Sequence, residues 1–208
     1  MTNGPILACI DAIHQSILSH EKDIEALDRE IGDGDHYINI RRGITLIQGM
    51  RDELGALPAN QIFHKIGNKL LTTIGGASGP LIASFFLAMG KALDGRENID
   101  KTAFAAAFET GVEAIKSRGK ADLGEKTMLD VLIPVARLLK RMAEAGESPE
   151  AILLAAKEEA YRGMMSTRDM VAVRGRAQFL GERALGHIDP GSKTCQVAIW
   201  AVCDQLLA

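Results

Sequence analysis

Aliphatic side chains recur every three or four residues from one end of this 208-residue chain to the other. Ile6, Ile10, Ile13, Ile17, Ile24 and Leu27 form one such stripe, and Ile40, Ile44, Ile47 and Leu54 form the next. That spacing follows the 3.6-residue turn of a helix and not the two-residue alternation of a strand. Aromatic residues make up only 4% of the chain, so the core must be aliphatic and closely packed, which suits helices better than a β-sandwich. The pattern predicts an all-α fold.

Helix boundaries can be read from the same sequence. The first two stripes predict one helix each, separated by a glycine-rich acidic segment. Pro58 precedes a third helix carried by Ile62, Ile66 and Leu70. Pro80 fits the first turn of a fourth, where its missing N–H costs nothing. Asp100 can cap a fifth, which carries Phe104, Phe108 and Ile115. A sixth is expected from about Lys126 to Ala143, with Pro134 inside it predicting a kink or a broken hydrogen bond. Ser148-Pro149-Glu150 opens a seventh that extends to about Met165, and the last starts near Ser192 and contains Trp200 and Leu206. The expectation is eight helices, no strand, and one domain over 1–208, because no fixed-period repeat or long linker divides the chain.

Composition narrows the partners. A net charge of −3 shows no basic footprint for nucleic acid. No run of about 18 apolar residues is present to span a membrane. Cys9, Cys195 and Cys203 follow no metal-ligand spacing. With no signal-type N-terminus, they read as reduced thiols of a cytoplasmic protein, and Cys195 and Cys203 as packing residues.

The connections are less ordinary than the helices. Asp28-Arg-Glu-Ile-Gly-Asp33-Gly-Asp35-His36 joins helices one and two, and Gly75-Gly-Ala-Ser-Gly-Pro80 joins three and four. Gly119-Lys-Ala-Asp-Leu-Gly-Glu-Lys-Thr127 joins five and six, and the stretch from Arg174 to Gly191 joins seven and eight. The junctions near Pro58, Gly95 and Gly146 are plain polar turns. In an up-and-down bundle alternate connections lie at the same end. All four unusual junctions would then share one rim, opposite the three plain ones.

Two readings fit the acidic segment. Asp and Gly are common turn residues, and the segment can be a solvated loop. Alternatively its carboxylates are hard oxygen donors for a divalent cation, with glycine allowing the tight turn that aims them. Two carboxylates about 4 Å apart repel by about 4 kcal/mol at an effective dielectric of 20, so convergence makes sense mainly around metal. Gly75–Gly79 before a helix start offers free N–H groups and a positive dipole end for phosphate, with Ser78 adding a hydroxyl; close helix packing is the other reading. Three named motifs fail. Gly119–Thr127 has one residue too many between glycine and lysine for a P-loop, and it follows a helix. Tyr37 stands where a dinucleotide fingerprint needs its third glycine, and Asn39 stands where an EF-hand needs glutamate. Acidic metal ligands beside glycine loops and Arg176 suit a metal-bound nucleotide, and phosphoryl transfer needs no protein nucleophile beyond positioning and charge neutralisation. His36 and His187 lie in the candidate loops; His14, His20 and His64 read as surface or packing residues on helix bodies. Lys120 and Lys126 could meet phosphate, but lysines near helix ends are mostly solvated, and neither is assigned as catalytic.

These segments, in order, resemble the ADP-binding L subunit of the dihydroxyacetone kinase driven by the phosphoenolpyruvate phosphotransferase system. The resemblance runs through Leu27–His36, Gly75–Leu81, Ser117–Ala121, Lys126–Met128, Gly175–Ala177 and Gly186–Gly191. It implies an eight-helix up-and-down antiparallel barrel with the nucleotide at one rim. It implies Asp28, Asp33 and Asp35 as ligands of two Mg2+ ions that bridge the phosphates of ADP or ATP. It further implies nucleotide contacts at His36, Asn39, Ala77, Ser78, Gly119, Thr127, Met128, Arg176, Ile188, Asp189 and Pro190. The implied mechanism has bound ADP phosphorylated in place by a phosphohistidine-carrying M-type subunit. The ATP formed then phosphorylates dihydroxyacetone held covalently on a separate K subunit, and the length of the chain suits a detached subunit. A transcriptional regulator and a second copy of the chain are further candidate partners. Tyr37 departs from the small residue usual there, and a bulky ring beside the metal loop would alter access or docking. Two rival readings are the nucleotide subunit of a related ketose kinase, such as one for a tetrulose, and a helical nucleotide-binding module that docks on a regulator.

Overall fold

The structure, a computed structural model, describes residues 4–76, 78–96 and 98–208. Its helices are α1 (Gly4–Ser19), α2 (Glu21–Ile31), α3 (His36–Gly49), α4 (Arg51–Gly55), α5 (Ala59–Thr73) and α6 (Ser78–Ala92). They continue as α7 (Lys101–Gly119), α8 (Leu129–Glu144), α9 (Pro149–Ser166) and α10 (Pro190–Leu207). Two 3-10 segments, Thr167–Asp169 and Ala177–Ala184, lie between α9 and α10. Among the described residues there is no strand. Among the described residues no helix is long and apolar enough to cross a membrane.

Two expected helices are each broken in two. The first bends at His20, where Ser19 Oγ and His20 Nδ1 both lie 2.8 Å from the Ser16 carbonyl. Side chains that engage a carbonyl this way offer the backbone an alternative to continuing the helix. The second breaks at Met50, which follows Gly49 and leaves α4 as a single short turn. Elsewhere local chemistry sets the ends. Asp100 accepts from the Ala103 amide at 2.7 Å, and Ser148 accepts from Ala151 at 3.1 Å with Pro149 in the first turn. The last helix begins at Pro190, two residues before the expected start, because Asp189 caps it by accepting from Ser192 N–H at 2.6 Å.

Each helix packs on its neighbours in chain order: α5 on α6, α6 on α7, α7 on α8, α8 on α9 and α9 on α10. Helix α10 returns to α1, α1 meets α3, and α3 touches α5, so the succession of neighbours closes. Phe63, Phe85, Phe86, Phe104 and Phe108 form a chain of ring contacts across α5, α6 and α7, with successive centroids 5.3–6.3 Å apart. Tyr37 is only 2% exposed and packs with Ile17, Ile24 and Val197, so its ring fills the core between α1, α3 and α10.

Pro134 sits inside α8, as expected. Without an N–H it leaves the Asp130 carbonyl lacking its helical donor. Gly163 of α9 lies against that carbonyl: a Cβ on Gly163 would stand 2.4 Å from the Asp130 oxygen and 2.9 Å from Val131 Cα. The two backbones therefore touch here, at the end of α8 that leads into the Gly119–Thr127 junction.

Candidate functional site

Side chains from three of the four unusual junctions interlock, and the glycine loop approaches the start of α3. Asp28, buried in the last turn of α2, accepts from the His36 amide through Oδ2 at 3.0 Å and so joins α2 to α3. Its Oδ1 occupies the space where a Cβ on Gly32 would sit, only 1.8 Å away, so no larger residue fits at 32 without moving Asp28. Arg176, from the long junction before α10, pairs with Asp33 at 2.7 Å. His187 reaches Glu30 at 3.8 Å, and His36 Nε2 meets Thr194 Oγ1 of α10 at 2.8 Å. Gly76, in the glycine loop, lies beside the Asn39 side chain: a Cβ there would be 3.7 Å from Nδ2. Ser78 opens α6, while Ala77 lies outside the described residues.

The electrostatics of the acidic loop show crowded charge. Burial pushes the Asp33 carboxyl up, yet hydrogen bonds to Asp35 and Arg176 and the guanidinium charge hold it below its ordinary value. Asp35 moves the other way: burial raises it first, then the hydrogen bond and charge of Asp33, with Asp28 adding and Asn39 opposing. Two like charges this close favour keeping one proton between them. His36 is lowered by burial, which outweighs the aspartates around it, so its imidazole stays neutral at pH 7.

Whether magnesium suits these residues depends on the donor set. The three carboxylates are hard oxygen donors, and the crowding of the Asp33 and Asp35 charges is of a kind that a cation relieves. Among the described residues, no three His, Cys, Asp or Glu side chains are gathered closely enough to hold an ion by themselves. Asp28 is engaged with the His36 amide, and Asp33 with Arg176. Magnesium usually takes only one or two carboxylates and completes its octahedron with phosphate oxygens and water. The donors thus fit a nucleotide-bound ion and not a closed protein cage.

The other half of the rim rests on buried polar groups. Asp130 accepts from the amides of Gly124 at 2.5 Å and Thr127 at 2.7 Å, and so shapes the loop between α7 and α8. Lys126, expected among the solvated lysines, is instead 1% exposed. It donates to the carbonyls of Thr167 and His187, both at 2.5 Å. Ser192 Oγ donates to the Thr127 carbonyl at 2.7 Å, and Thr167 Oγ1 accepts from the Asp189 amide at 3.0 Å. Arg174 pairs with Glu125 at 3.1 Å. Thr127 and Met128 are thereby held against the segment Ile188-Asp189-Pro190, and Gly191 lies beside Met128. Gly119 closes α7 against Leu81. Asp130, Thr167, Ser192 and Thr194 were missed from the sequence. None carries a spacing motif of its own, and only the fold shows what each faces.

A model of the DAK2 domain matches residues 30–204, a span that holds every candidate site residue except Asp28. The chain belongs to the DAK2 domain family. The ADP-binding subunit DhaL of the PEP-dependent dihydroxyacetone kinase of Escherichia coli is 38% identical over 169 residues, 81% of this chain and 80% of that protein. DhaL of the first such kinase of Listeria innocua is 40% identical over 166 residues, 80% of this chain and 78% of that protein. Among solved structures, the dihydroxyacetone kinase from C. freundii in complex with AMP-PNP and Mg2+ superimposes with a TM-score of 0.77 at 26% identity. The match covers 98% of this chain but only 34% of that kinase, so this DAK2 chain spans about a third of its length.

Proposed function

We propose that this chain is the nucleotide-carrying phosphoryl-transfer subunit of a dihydroxyacetone kinase. In this reading bound ADP accepts a phosphoryl group from a phosphohistidine M-type subunit and relays it to dihydroxyacetone on a separate K subunit. The observation that carries the reading is the Arg176–Asp33 pair, which brings the junction before α10 against the acidic loop and beside the start of α3. An acidic loop, a glycine loop and a guanidinium then share one rim, in a family whose relatives are named for ADP binding.

Asp28, Asp33 and Asp35 would hold magnesium, two ions in the reading preferred here. When bound, the metal neutralises phosphate charge and holds the oxygens for in-line transfer. Arg176, 71% exposed along its side chain, is free to exchange Asp33 for a phosphate oxygen. The start of α6 at Ser78 offers N–H groups and a dipole end to the same phosphates. Neutral His36 and Asn39 line the start of α3 beside them. Thr127 and Met128 face Ile188, Asp189 and Pro190 as the two sides of a slot for the nucleoside, with Gly119 at its edge.

A partner must bring the sugar. Phe179 is 75% exposed in the segment that carries Arg176, and Val173 and Leu185 of that segment are exposed as well. The other five phenylalanines join in the ring contacts of the core, so an outlying ring beside the rim supports docking of the K subunit there. In the C. freundii dihydroxyacetone kinase about two-thirds of the chain lies outside the match, room for a sugar-binding part that this chain would meet as a partner.

The test mixes the chain with dihydroxyacetone, a K-type subunit and labelled ATP, with and without a phosphohistidine donor. Dihydroxyacetone phosphate that forms only when every protein is present, and that carries no label from the ATP, is the expected result. No nucleotide in the denatured supernatant together with no transfer would overturn the reading. A second reading, the nucleotide subunit of a kinase for a related ketose, is favoured by the 33% identity to the rat triokinase/FMN cyclase over 95% of this chain. Exchanging the sugar and its K-type subunit in the same assay separates the two.

A further inference from the structure

Lys126 carries two costs at once. It is the only buried Lys or Arg among the described residues, and its backbone is left-handed, with φ of 59°. Burying an ammonium is expensive, and an apolar side chain usually stabilises a core at least as well. A non-glycine residue in the left-handed region stores strain of a kind that gathers at functional sites. Both costs fall on the residue next to Thr127 and Met128.

What Lys126 touches gives the reason. Its Nζ donates to the Thr167 carbonyl after α9 and to the His187 carbonyl, one residue before Ile188. Thr167 in turn accepts from the Asp189 amide through Oγ1. One side chain therefore spans from the loop before α8 to both ends of the junction before α10. Burial pulls the Lys126 ammonium below its ordinary pKa, and the acidic groups that face it, Asp189, Asp169 and Asp130, only partly offset this. Ser192 makes a second, weaker tie between the same walls, through the Thr127 carbonyl.

We propose that Lys126 is a positioning residue that straps together the two walls of the nucleoside slot, so that it governs affinity for the nucleoside and not for the phosphates. The inference rests on the nucleotide reading above. The acidic loop and the glycine loop lie outside the strap, and Arg176 is tied to the acidic loop by its pair with Asp33, so a ligand that has only phosphates depends on the strap far less.

Calorimetric titrations with Mg·ADP and with magnesium and inorganic tripolyphosphate test this on the full chain and on Lys126→Met, with thermal melting run alongside. The expected result is a loss of at least tenfold in ADP affinity with less than a threefold change for tripolyphosphate. Should Lys126→Met fail to fold, Ser192→Ala takes its place, with a three- to tenfold loss for ADP and none for tripolyphosphate. Equal losses for both ligands, or unchanged ADP binding, overturn the strap while leaving the nucleotide reading standing. A wild-type chain that binds no ADP overturns the nucleotide reading and the strap with it.

Discussion

Gly163→Ala sets two opposing effects against each other, and the structure decides the sign. In the interior of a helix, alanine is favoured over glycine by about 1 kcal/mol. Gly163 lies inside α9, so propensity alone predicts stabilisation. The new Cβ, however, would stand 2.4 Å from the Asp130 carbonyl oxygen and 2.9 Å from Val131 Cα. Ordinary contacts of this kind sit near 3.5 Å, so α8 and α9 must separate by roughly 1 Å. Neither obstacle is the end of a flexible side chain that could swing aside; both are backbone. Overpacking a tight core costs about 1–3 kcal/mol, and a backbone obstacle belongs at the upper end of that range. After the propensity gain, the net destabilisation is about 1–2 kcal/mol. For a chain of this size it lowers the melting temperature by roughly 2–8 °C. The shift also reaches the rim, because Asp130 holds the amides of Gly124 and Thr127. Urea unfolding and thermal melting read the stability, and retained ADP after purification reads the site. Gly146→Ala is not a fair control because of its positive φ, whereas Gly49→Ala meets open space in the last turn of α3. A Gly163→Ala chain as stable as wild type, or more so, would refute the claim that backbone contact sets the α8–α9 spacing.

Three further outcomes follow from the site. Asp33→Ala is expected to abolish phosphoryl transfer in the reconstituted assay while leaving the helical circular dichroism unchanged; retained activity would remove Asp33 from the metal set. Its exposed pair with Arg176 adds no more than about 1 kcal/mol to stability, so unfolding should barely shift. Phe179→Ser is expected to leave ADP binding and melting intact but to raise the concentration of K-type subunit needed for half-maximal transfer by about tenfold. An unchanged concentration dependence would take the ring out of the docking surface. Asp189 is raised to about 6, first by burial and then by the charge of Asp130, against the Ser192 hydrogen bonds and Lys126. A carboxyl raised in the folded state binds its proton more tightly there than in the unfolded chain. Wild type should therefore lose stability relative to Asp189→Asn as pH rises from about 4 to 6, by at most about 3 kcal/mol. Asn serves as the comparison because it caps a helix about as well as Asp. Parallel stability curves for the two chains across that window would show that Asp189 titrates as an ordinary carboxyl.

Helices and their ends were legible in the sequence wherever the deciding physics is local. The 3.6-residue stripes identify the elements, and Asp100, Ser148-Pro149 and Pro80 mark starts that the structure reproduces. The breaks at His20 and Met50 were not legible, because the apolar stripes run through both. The competing contact at His20, on the Ser16 carbonyl, is a side-chain choice that periodicity does not record. Acidic and glycine-rich junctions also announced themselves, since unusual composition in a connection is itself a local signal.

What faces what was decided only by the tertiary structure. Lys126 and Lys120 look alike in the sequence, two lysines in one glycine-rich junction. One is buried under two carbonyls from the two ends of one distant junction and the other is exposed. Tyr37 directly follows the acidic loop yet fills the core, because the turn of α3 carries it onto Ile17, Ile24 and Val197. Arg176 finds Asp33 across more than 140 residues of chain. Local propensity depends on neighbours within about one helical turn, so it determined the parts, while the pairing of loops at the rim depends on how α8, α9 and α10 pack. That packing places a carboxylate, a guanidinium and a buried ammonium where no spacing rule could have joined them.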